Sequence, residues 1–433
     1  MGRHKKNAAA SSGYVPKKIP ALEGTADIIT ETDILWEAVL GRFARIARTY
    51  GFSRVEAPLL EDQYLYESFY KNSKPALAGL LPVTTAAGRP AALRPSLLPS
   101  ALRCYYQHKI FDKTPLSKWF YSGWTARAGA DRELESDFQF GFELFGGYSH
   151  LSEAQLIGAI WEFIKSLELK DAVLEINNIG GQATQKTYQD ALKDFLSGKK
   201  YELCDNCNDA LQIRPLDVFR CDKLDCQSLL SEAPTVLDFL EPDCHKQFTQ
   251  VLEALDELGI PYQLNPLYAG PEGFGKTNFV IKYKTKDKLA VIGEGGSHDD
   301  YMQSLCGKAY SCFGFTGSAG LLRRLLEEGK IGVNKELKND VFLVPLGELA
   351  SKKSLKLFRD LTSQRVSVYD HFGECGVKNQ LKQAVSYNAP IALIMGQKEA
   401  MDEMVILRDV KSGMQEIISY DKIVEEVKKR LGK

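Results

Sequence analysis

Two long segments with β-strand patterning, KWFYSGWTAR (residues 118–127) and SDFQFGFELFG (residues 136–146), flank one short charged loop at 127–136. Two strands joined by so short a connection run antiparallel, because a parallel pair needs a crossover of a dozen or more residues. The two segments therefore predict a long antiparallel hairpin. Such a hairpin favours a mixed fold over a regular alternation of parallel strands and helices.

The segments around the hairpin predict the rest of this domain. Apolar residues recur at helical spacing through residues 32–50, and residues 81–94 indicate two short strands around a turn. A capping box, Ser152-x-x-Gln155, predicts the start of an amphipathic helix. Residues 183–260 have mostly helical patterning, and strand patterning returns at residues 278–294. We predict an α+β fold with an antiparallel sheet and a helical insertion at about 183–260.

The pattern changes after about residue 339. Short apolar strands follow there, with helical segments between most of them: VFLVPLG, VSVYD, IALIMG and MVILRDV. About a hundred residues of this kind make a usual domain. We therefore predict three parts, which are a disordered basic tail at 1–18, an α+β domain at 19–331 and a separate α/β domain at 339–433.

Composition limits the class of function. Of 433 residues, 44% are hydrophobic and 26% charged, which is ordinary for a globular protein. Because the formal net charge is −1, nucleic-acid binding needs a local basic patch, and DNA is not expected as a partner. Nine cysteines are too few for a disulfide scaffold. Because we find neither a secretory signal nor a long apolar segment, we expect a cytoplasmic protein without a membrane partner. The tail carries five Lys/Arg and no acid, which is typical of a disordered segment or of a weak RNA contact.

Residues 270–277 spell GPEGFGKT, a literal match to the phosphate-binding loop pattern G-x-x-x-x-G-K-[ST]. Such a loop works between a buried strand and a helix whose N-terminal N–H groups bind phosphate. The following segment, NFVIKYK, has strand patterning and no helix start. We therefore predict that this stretch is a turn and not a triphosphate site.

A series of short segments occurs along nearly the whole chain from about Leu22. They are GTADI (24–28), YGFSRVEAPLLE (50–61), LRPS (93–96), FQFGFELFG (138–146), LNPLYAGPEGFGKTNF (264–279) and TGSAGLLRRL (316–325). In order and spacing they resemble the entry segment, motif 1, the L-R-P-E segment, motif 2, the histidine-site segment and motif 3 of histidyl-tRNA synthetases, which are class II aminoacyl-tRNA synthetases. The stretches IALIMG and MVILRDVKSGMQ are similar to the anticodon-binding domain of that family.

The resemblance implies a reaction in which histidine attacks the α-phosphate of ATP and tRNA then takes the acyl group. It also implies a homodimer, tRNA binding through the C-terminal domain, and ATP with magnesium if the chain is active. Arg127 would contact the α-phosphate and Arg323 the γ-phosphate. Gln139 and Glu143 would contact histidine, and Arg94 is assigned to the same substrate site. As alternatives, the phosphate-binding arginines could form surface ion pairs, and Gln139 and Glu143 could be ordinary polar positions on a strand.

The sequence departs from the family pattern where the chemistry needs charge. Ser96 replaces the glutamate of L-R-P-E, and Ala269 replaces the arginine of R-G-L-D-Y-Y. Gly273 and Phe274 replace its two tyrosines, and Ser297 and His298 replace Arg and Tyr of G-G-R-Y-D. Losing one donor to a developing oxyanion typically costs ~3–4 kcal/mol of transition-state stabilisation. Several such losses predict that little histidine activation remains.

Four cysteines of the helical insertion have near zinc-ribbon spacing: Cys204, Cys207, Cys221 and Cys226. The last gap, of four residues, is wider than the usual two. Tetrahedral thiolate coordination of zinc would stabilise an insertion with little core of its own. The alternative is a set of buried or free thiols in a reducing compartment.

Three functional hypotheses follow from these observations. In the first, the chain is a histidyl-tRNA synthetase paralogue that binds tRNA, a nucleotide or another enzyme without activating histidine. In the second, it is an active histidine–tRNA ligase with a divergent site. In the third, it is a ligase for another small substrate, since a scaffold alone does not fix chemistry. The presence of a C-terminal domain favours a connection with tRNA.

Overall fold

A computed structural model describes residues 19–25, 27–71, 73–114, 116–129, 132–147, 149–286, 289–307, 310–329, 340–370 and 376–433, with the helical backbone alone at 30–33. The chain divides into two compact units, Met1–Val333 and Asn334–Lys433. The predicted tail at 1–18 and the polar run before residue 340 lie outside the described residues. The exact domain limits 19–331 and 339–433 therefore stay predictions.

The strands described in the first unit are β1 (Ser53–Arg54), β2 (Leu60–Asp62), β3 (Leu81–Thr84), β4 (Pro90–Leu93), β5 (Leu116–Ala128), β6 (Leu134–Gly146), β7 (Ala172–Asn178), β8 (Gln263–Leu264), β9 (Gly275–Lys284), β10 (Leu289–Ser297) and β11 (Cys312–Ser318). Eight of them form one sheet in the order β1-β5-β6-β11-β10-β9-β7-β8, and β2-β4-β3 form a small second sheet. Only the outermost pairs of the large sheet, β1 with β5 and β7 with β8, are parallel. The predicted antiparallel sheet is confirmed.

The predicted hairpin is the pair β5 and β6, which are in register from Leu116 opposite Gly146 to Ala128 opposite Leu134. Successive side chains of a strand point to opposite faces of the sheet. Phe140, Phe142 and Leu144 accordingly lie in the main hydrophobic core. The intervening positions of β6 face the other way, and it is this other face that carries the candidate site.

The helices described in the first unit are α1 (Thr30–Thr49), α2 (Gln63–Phe69), α3 (Lys74–Ala78), α4 (Leu98–Gln107), α5 (Ile110–Lys113), α6 (His150–Ser166), α7 (Gln182–Ser197), α8 (Asp205–Ile213), α9 (Leu224–Leu230), α10 (Pro242–Glu257), α11 (Asp299–Cys306) and α12 (Ala319–Glu328). Apolar faces of α1, α6, α10 and α12 pack on the large sheet and form the main core. Helix α6 begins after Ser149, so the predicted capping box is wrong: Ser152 lies inside the helix.

The predicted insertion contains two kinds of helix. Helices α7, α8 and α9, with short 3-10 helices between them, bury a small cluster of their own that includes Leu192, Leu211 and Leu229. Helix α10 instead places Phe248 and Val251 in the main core. Only the part of 183–260 that precedes α10 therefore has a separate core.

The second unit is an α/β sandwich. Its described elements are β12 (Val341–Pro345), α13 (Glu348–Ser363), β13 (Val368–Asp370), α14 (Val377–Ser386), β14 (Ile391–Met395), α15 (Gln397–Met401), β15 (Met404–Asp409), β16 (Gln415–Ser419) and α16 (Ile423–Leu431). The strand order is β13-β12-β14-β15-β16, with parallel pairing up to β14 and antiparallel pairing after it. Both faces of β12 and β14 are buried, which explains their continuous apolar sequences. Within the described residues, no helix has the length and apolar character needed to cross a membrane.

Candidate ligand-binding cavity

A cavity of about 640 Å³ opens beside the large sheet of the first unit. Strands β6, β10 and β11 contribute Gln139, Gly293 and Thr316 to its lining, and Ser96 and Phe274 come from connecting segments. Concave sites of this size, bordered by a few polar groups, are typical ligand sites.

Charged side chains of both signs line this cavity. The described lining holds two arginines and four carboxylates, namely Arg127, Arg220, Asp137, Asp217, Glu272 and Glu294. Arg220 pairs with Glu294, whose carboxylate also accepts a hydrogen bond from the Tyr268 hydroxyl. A lining with both charges suits a ligand that itself carries an amine and an anion.

Arg127, at the end of β5, lies where three cavities meet. It lines the first cavity and two adjoining ones of about 540 and 1000 Å³. Its Nε atom donates to Glu135 Oε2 at 2.8 Å, and both side chains are at least half exposed. The surface ion pair proposed as an alternative is thus present. The side chain nevertheless borders the cavities, and its contact with the α-phosphate stays a prediction.

The structure does not place Arg323 in any described cavity wall. Arg323 pairs with Glu327 one turn further along α12. Its neighbour Arg324 instead lines the adjoining cavity of about 540 Å³, together with Arg127 and Asp137. Consecutive helix residues point about 100° apart, so the two arginines leave the helix in different directions. Arg324, and not Arg323, thus borders a described cavity, and a contact between Arg323 and the γ-phosphate stays a prediction.

Gln139 and Arg94 have different surroundings. Gln139 lines the cavity and its Oε1 accepts a hydrogen bond from the Leu97 N–H at 3.2 Å. The Arg94 guanidinium donates to the main-chain carbonyls of Trp124 and Ala57, both at 2.7 Å, and is absent from the described cavity lining. These bonds hold the LRPS segment against β5. A contact between Arg94 and substrate stays a prediction.

Glu143 is fully buried and does not line the cavity in the described structure. Its Oε1 accepts a hydrogen bond from the Tyr121 hydroxyl at 3.0 Å, and its Oε2 lies 3.6 Å from both Cys312 Sγ and His298 Nε2. The His298 ring packs at 4.4 Å on Phe274, and Phe274 is part of the cavity wall. Protein rings therefore separate this carboxylate from the cavity.

Burial also sets the charge of this pair. Desolvation raises the pKa of Glu143 to about 8 and lowers the pKa of His298 to about 3. Near pH 7 both groups are consequently neutral for the most part. Both shifts favour the neutral forms, so burial opposes an ion pair at this 3.6 Å approach.

Residues 270–274 of GPEGFGKT form a turn, as predicted, and residues 275–277 belong to strand β9. Gly270 and Gly273 have φ angles of +62° and +85°, and strand β9 begins at Gly275. Lys276 pairs with Asp299 at 2.6 Å. A strand and not a helix follows the glycines, so this described segment offers no helix N-terminus whose N–H groups could bind a triphosphate.

Sequence patterns did not identify several cavity residues. Arg220 comes from a 3-10 helix, Pro215–Arg220, in the helical insertion. Asp137 of β6 lines the cavity and accepts a hydrogen bond from Ser318 at 2.9 Å. Burial raises the pKa of Asp137. Only Arg324 had a signal in the sequence, since it adjoins the predicted arginine.

The four cysteines predicted as a metal site do come together. Their sulfur atoms all lie within 4.8 Å of one another, and Cys207 and Cys226 are buried while Cys204 and Cys221 are partly exposed. Whether they hold zinc stays a prediction.

Comparisons with known proteins agree on one family. The family models for histidyl-tRNA synthetase and for the anticodon-binding domain match residues 24–320 and 340–430. A histidine–tRNA ligase of Dehalococcoides mccartyi is 30% identical over 416 residues, covering 94% of this chain and 99% of the relative. One of Caldicellulosiruptor bescii is 28% identical over 425 residues, covering 96% and 100%.

Solved structures are similar over the same extent. The crystal structure of apo S. aureus histidyl-tRNA synthetase has a TM-score of 0.78 and 25% identity, covering 95% of this chain and all of the other. An ATP phosphoribosyltransferase regulatory subunit/histidyl-tRNA synthetase from Bacillus halodurans has a TM-score of 0.62 and 15% identity, covering 88% and 99%. This second likeness concerns the fold alone.

Proposed function

The chain belongs to the histidyl-tRNA synthetase family, with a class II catalytic domain and a C-terminal anticodon-binding domain, and on that premise we propose that it binds tRNA or a nucleotide, or both, without activating histidine. Its role would then be regulatory or otherwise separate from ligation. One observation carries this proposal: Glu143, the residue that would contact histidine, is fully buried behind His298 and Phe274.

The closed position of Glu143 would exclude the substrate ring. A histidine side chain in contact with this carboxylate would have to displace His298, which is 1% exposed. Tight interiors resist such displacement, because overpacking typically costs ~1–3 kcal/mol. The chain's own imidazole thus occupies the surroundings that a bound imidazole would need.

Two substitutions in or beside the cavity support the same conclusion. Ser96 lines the cavity where the family pattern has a glutamate, and it hydrogen-bonds to Tyr70. Ala269 is buried and cannot supply the charge of the arginine that it replaces. Removing one partner of a buried charge pair typically costs ~2–5 kcal/mol of binding free energy. Losing two charged contacts would leave histidine weakly bound.

The nucleotide part of the proposal rests on two arginines. Arg127 and Arg324 line one cavity, and guanidinium groups bind phosphate through paired N–H donors. They would hold the phosphates of ATP, which binds with magnesium in most proteins. The carboxylates nearby would make the site selective among anions. A bound anion must lie against the two arginines and away from the Asp137 carboxylate.

The remaining partners are proposed from the family and from surface chemistry. We propose that tRNA binds through residues 340–430, which match the anticodon-binding domain. We also propose a homodimer, since Leu59, Leu60 and Tyr64 expose apolar surface beside β2. A cytoplasmic location, with neither a membrane nor DNA as a partner, completes the proposal.

An active histidine–tRNA ligase is the alternative. It is favoured by relatives that carry that name at 30% identity over 94% of this chain. In this case His298 would have to leave Glu143 when histidine binds, so that the site opens by induced fit.

Histidine-dependent exchange of pyrophosphate into ATP distinguishes the non-ligase proposal from an active histidine–tRNA ligase. We expect no exchange above a no-histidine blank, together with retained binding of bulk tRNA in a filter assay. Robust exchange by the purified full chain would overturn the non-ligase proposal. A bacterial histidyl-tRNA synthetase assayed in parallel provides the positive control.

A further inference from the structure

The positions of the four cysteine sulfurs in the helical insertion fit coordination of one metal ion better than they fit disulfide bonds. The Sγ atoms of Cys204 and Cys221 are 3.9 Å apart, and all four sulfurs lie within 4.8 Å of one another. Two sulfurs of a disulfide are about 2.05 Å apart. Four thiolates, each about 2.3 Å from one zinc ion, would be about 3.8 Å apart at the corners of a tetrahedron.

The backbone around the cysteines also favours thiolates. Cys204 directly precedes α8, and Cys207 lies in the first turn of that helix. The Cys204 N–H donates to Cys226 Sγ at 3.3 Å. Charge-assisted hydrogen bonds of this kind stabilise an anionic acceptor. We propose that Cys204, Cys207, Cys221 and Cys226 bind one structural Zn²⁺ ion.

This segment needs such a link because its own core is small. Its cluster consists of leucines, one valine and two of the four cysteines, and the other two cysteines pack against it. Segments with little apolar surface to bury usually depend on disulfides or metals for a unique structure.

The zinc site adjoins the ligand cavity through Arg220. This residue immediately precedes Cys221, lines the cavity, and its Nη1 atom lies 3.3 Å from Glu294 Oε1 on β10. At the other end of the same 3-10 helix, Arg214 donates to the carbonyls of Ala269 and Pro271 at 3.5 and 3.3 Å. The stretch from Arg214 to Cys221 thus spans from the cavity wall to the metal.

It follows that zinc positions a cavity residue. The insertion places Arg214 beside Ala269, and zinc would fix the end of the segment that carries Arg220. Metal binding by the cysteines stands independently of the proposed function. Only the contact between Arg220 and a nucleotide rests on it.

Metal analysis of the full chain tests the site. We expect about one zinc per chain by mass spectrometry after purification without chelator, as for other structural sites. Cys221→Ser should lose most of this zinc, whereas Cys306→Ser, a cysteine outside the cluster, should retain it. Absence of metal in a folded chain, or iron in place of zinc, would overturn the assignment.

Cobalt replacement keeps the test decisive if the serine variant fails to fold. The wild-type chain stripped of metal and given Co²⁺ should develop the absorption of a tetrahedral thiolate complex. An octahedral spectrum, or no binding, would contradict a four-cysteine site.

Hydrogen exchange tests the link to Arg220. Removing zinc should accelerate amide exchange through residues 215–221 and leave β14 in the second unit unchanged. It should also weaken binding of magnesium–ATP about as much as Arg220→Ala, a loss of roughly tenfold for one charge-assisted contact. Unchanged exchange at 215–221 would overturn the positioning role. Zinc-dependent exchange without any nucleotide binding would sink the proposed function and leave the metal site intact.

Discussion

At the scale of single residues, Glu143 makes folding depend on pH. Its pKa is about 8 in the folded chain and 4.5 in a model peptide, so between these values the folded chain holds a proton that the unfolded chain has lost. The free energy of unfolding should therefore fall as pH rises through this window, by up to ~1.4 kcal/mol per pH unit. Glu153, whose pKa burial raises to about 7, contributes with the same sign.

Glu143→Gln isolates the contribution of this carboxyl. The amide keeps an oxygen for the Tyr121 hydroxyl and cannot ionise, so its stability should decline less between pH 5 and pH 8 than that of the wild type. Urea unfolding at both pH values measures the difference. Glu135→Gln, an exposed position, should leave the wild-type decline unchanged. Equal slopes for wild type and Glu143→Gln would show that Glu143 is already ionised near neutrality.

Adjacent arginines on α12 offer a matched pair for the nucleotide site. Arg324→Ala should weaken binding of magnesium–ATP by about 10–100-fold, because a hydrogen bond to a charged group is worth ~1.5–3 kcal/mol. Arg323→Ala removes only a pair with Glu327 and should change affinity by less than about twofold. Titration calorimetry compares the two. A larger effect at Arg323 would restore the assignment made from sequence.

At the scale of strands, Gly314 allows β11 to pack over Glu143. A Cβ atom at this position would lie 2.0 Å from the Glu143 carboxylate. Gly314→Ala should therefore destabilise the chain by about 1–3 kcal/mol, as overpacking does. Gly147→Ala, where a Cβ meets nothing within 4 Å, should be close to neutral in the same urea titration.

A double-mutant cycle tests whether the contact with Glu143 causes the destabilisation by Gly314→Ala. Adding Glu143→Ala to Gly314→Ala removes the atoms that collide. The double variant should therefore be destabilised by less than the sum of the two single-variant effects. Strict additivity would mean that Gly314 is needed for another reason.

Local periodicity predicted the elements better than their contacts. Alternation along β6 was sufficient to predict the hairpin and to put Gln139 and Glu143 on the face away from Phe140. It could not predict that Gln139 borders a cavity while Glu143 is enclosed. That difference depends on His298 and Gly314, which belong to segments more than 150 residues away in the chain.

The same limit applies to the cations. Helical spacing identifies which residues share a face of α12, but the choice between Arg323 and Arg324 needs the position of that helix against Asp137. Arg220 reaches the cavity because its segment docks on residues 269–271 through Arg214. Tertiary docking of this kind leaves no periodic trace in the sequence.

At the scale of the whole molecule, the described residues form separate cores in the two units. The main core joins helices to the large sheet within the first unit, and two further clusters cover the faces of the five-stranded sheet in the second. Domains with their own cores could in principle fold alone.

Tryptophan fluorescence can test whether the two units unfold separately, because all four tryptophans lie between residues 36 and 161. Leu144→Ala in the main core should lower the fluorescence midpoint in urea, since burying alanine in place of leucine costs ~2–5 kcal/mol. Leu393→Ala, equally buried in β14, should leave that midpoint unchanged and shift only the part of the circular dichroism that belongs to the second unit. If Leu393→Ala moves the fluorescence midpoint as far as Leu144→Ala does, the two units unfold as one cooperative body, and the separate cores do not translate into separate stability.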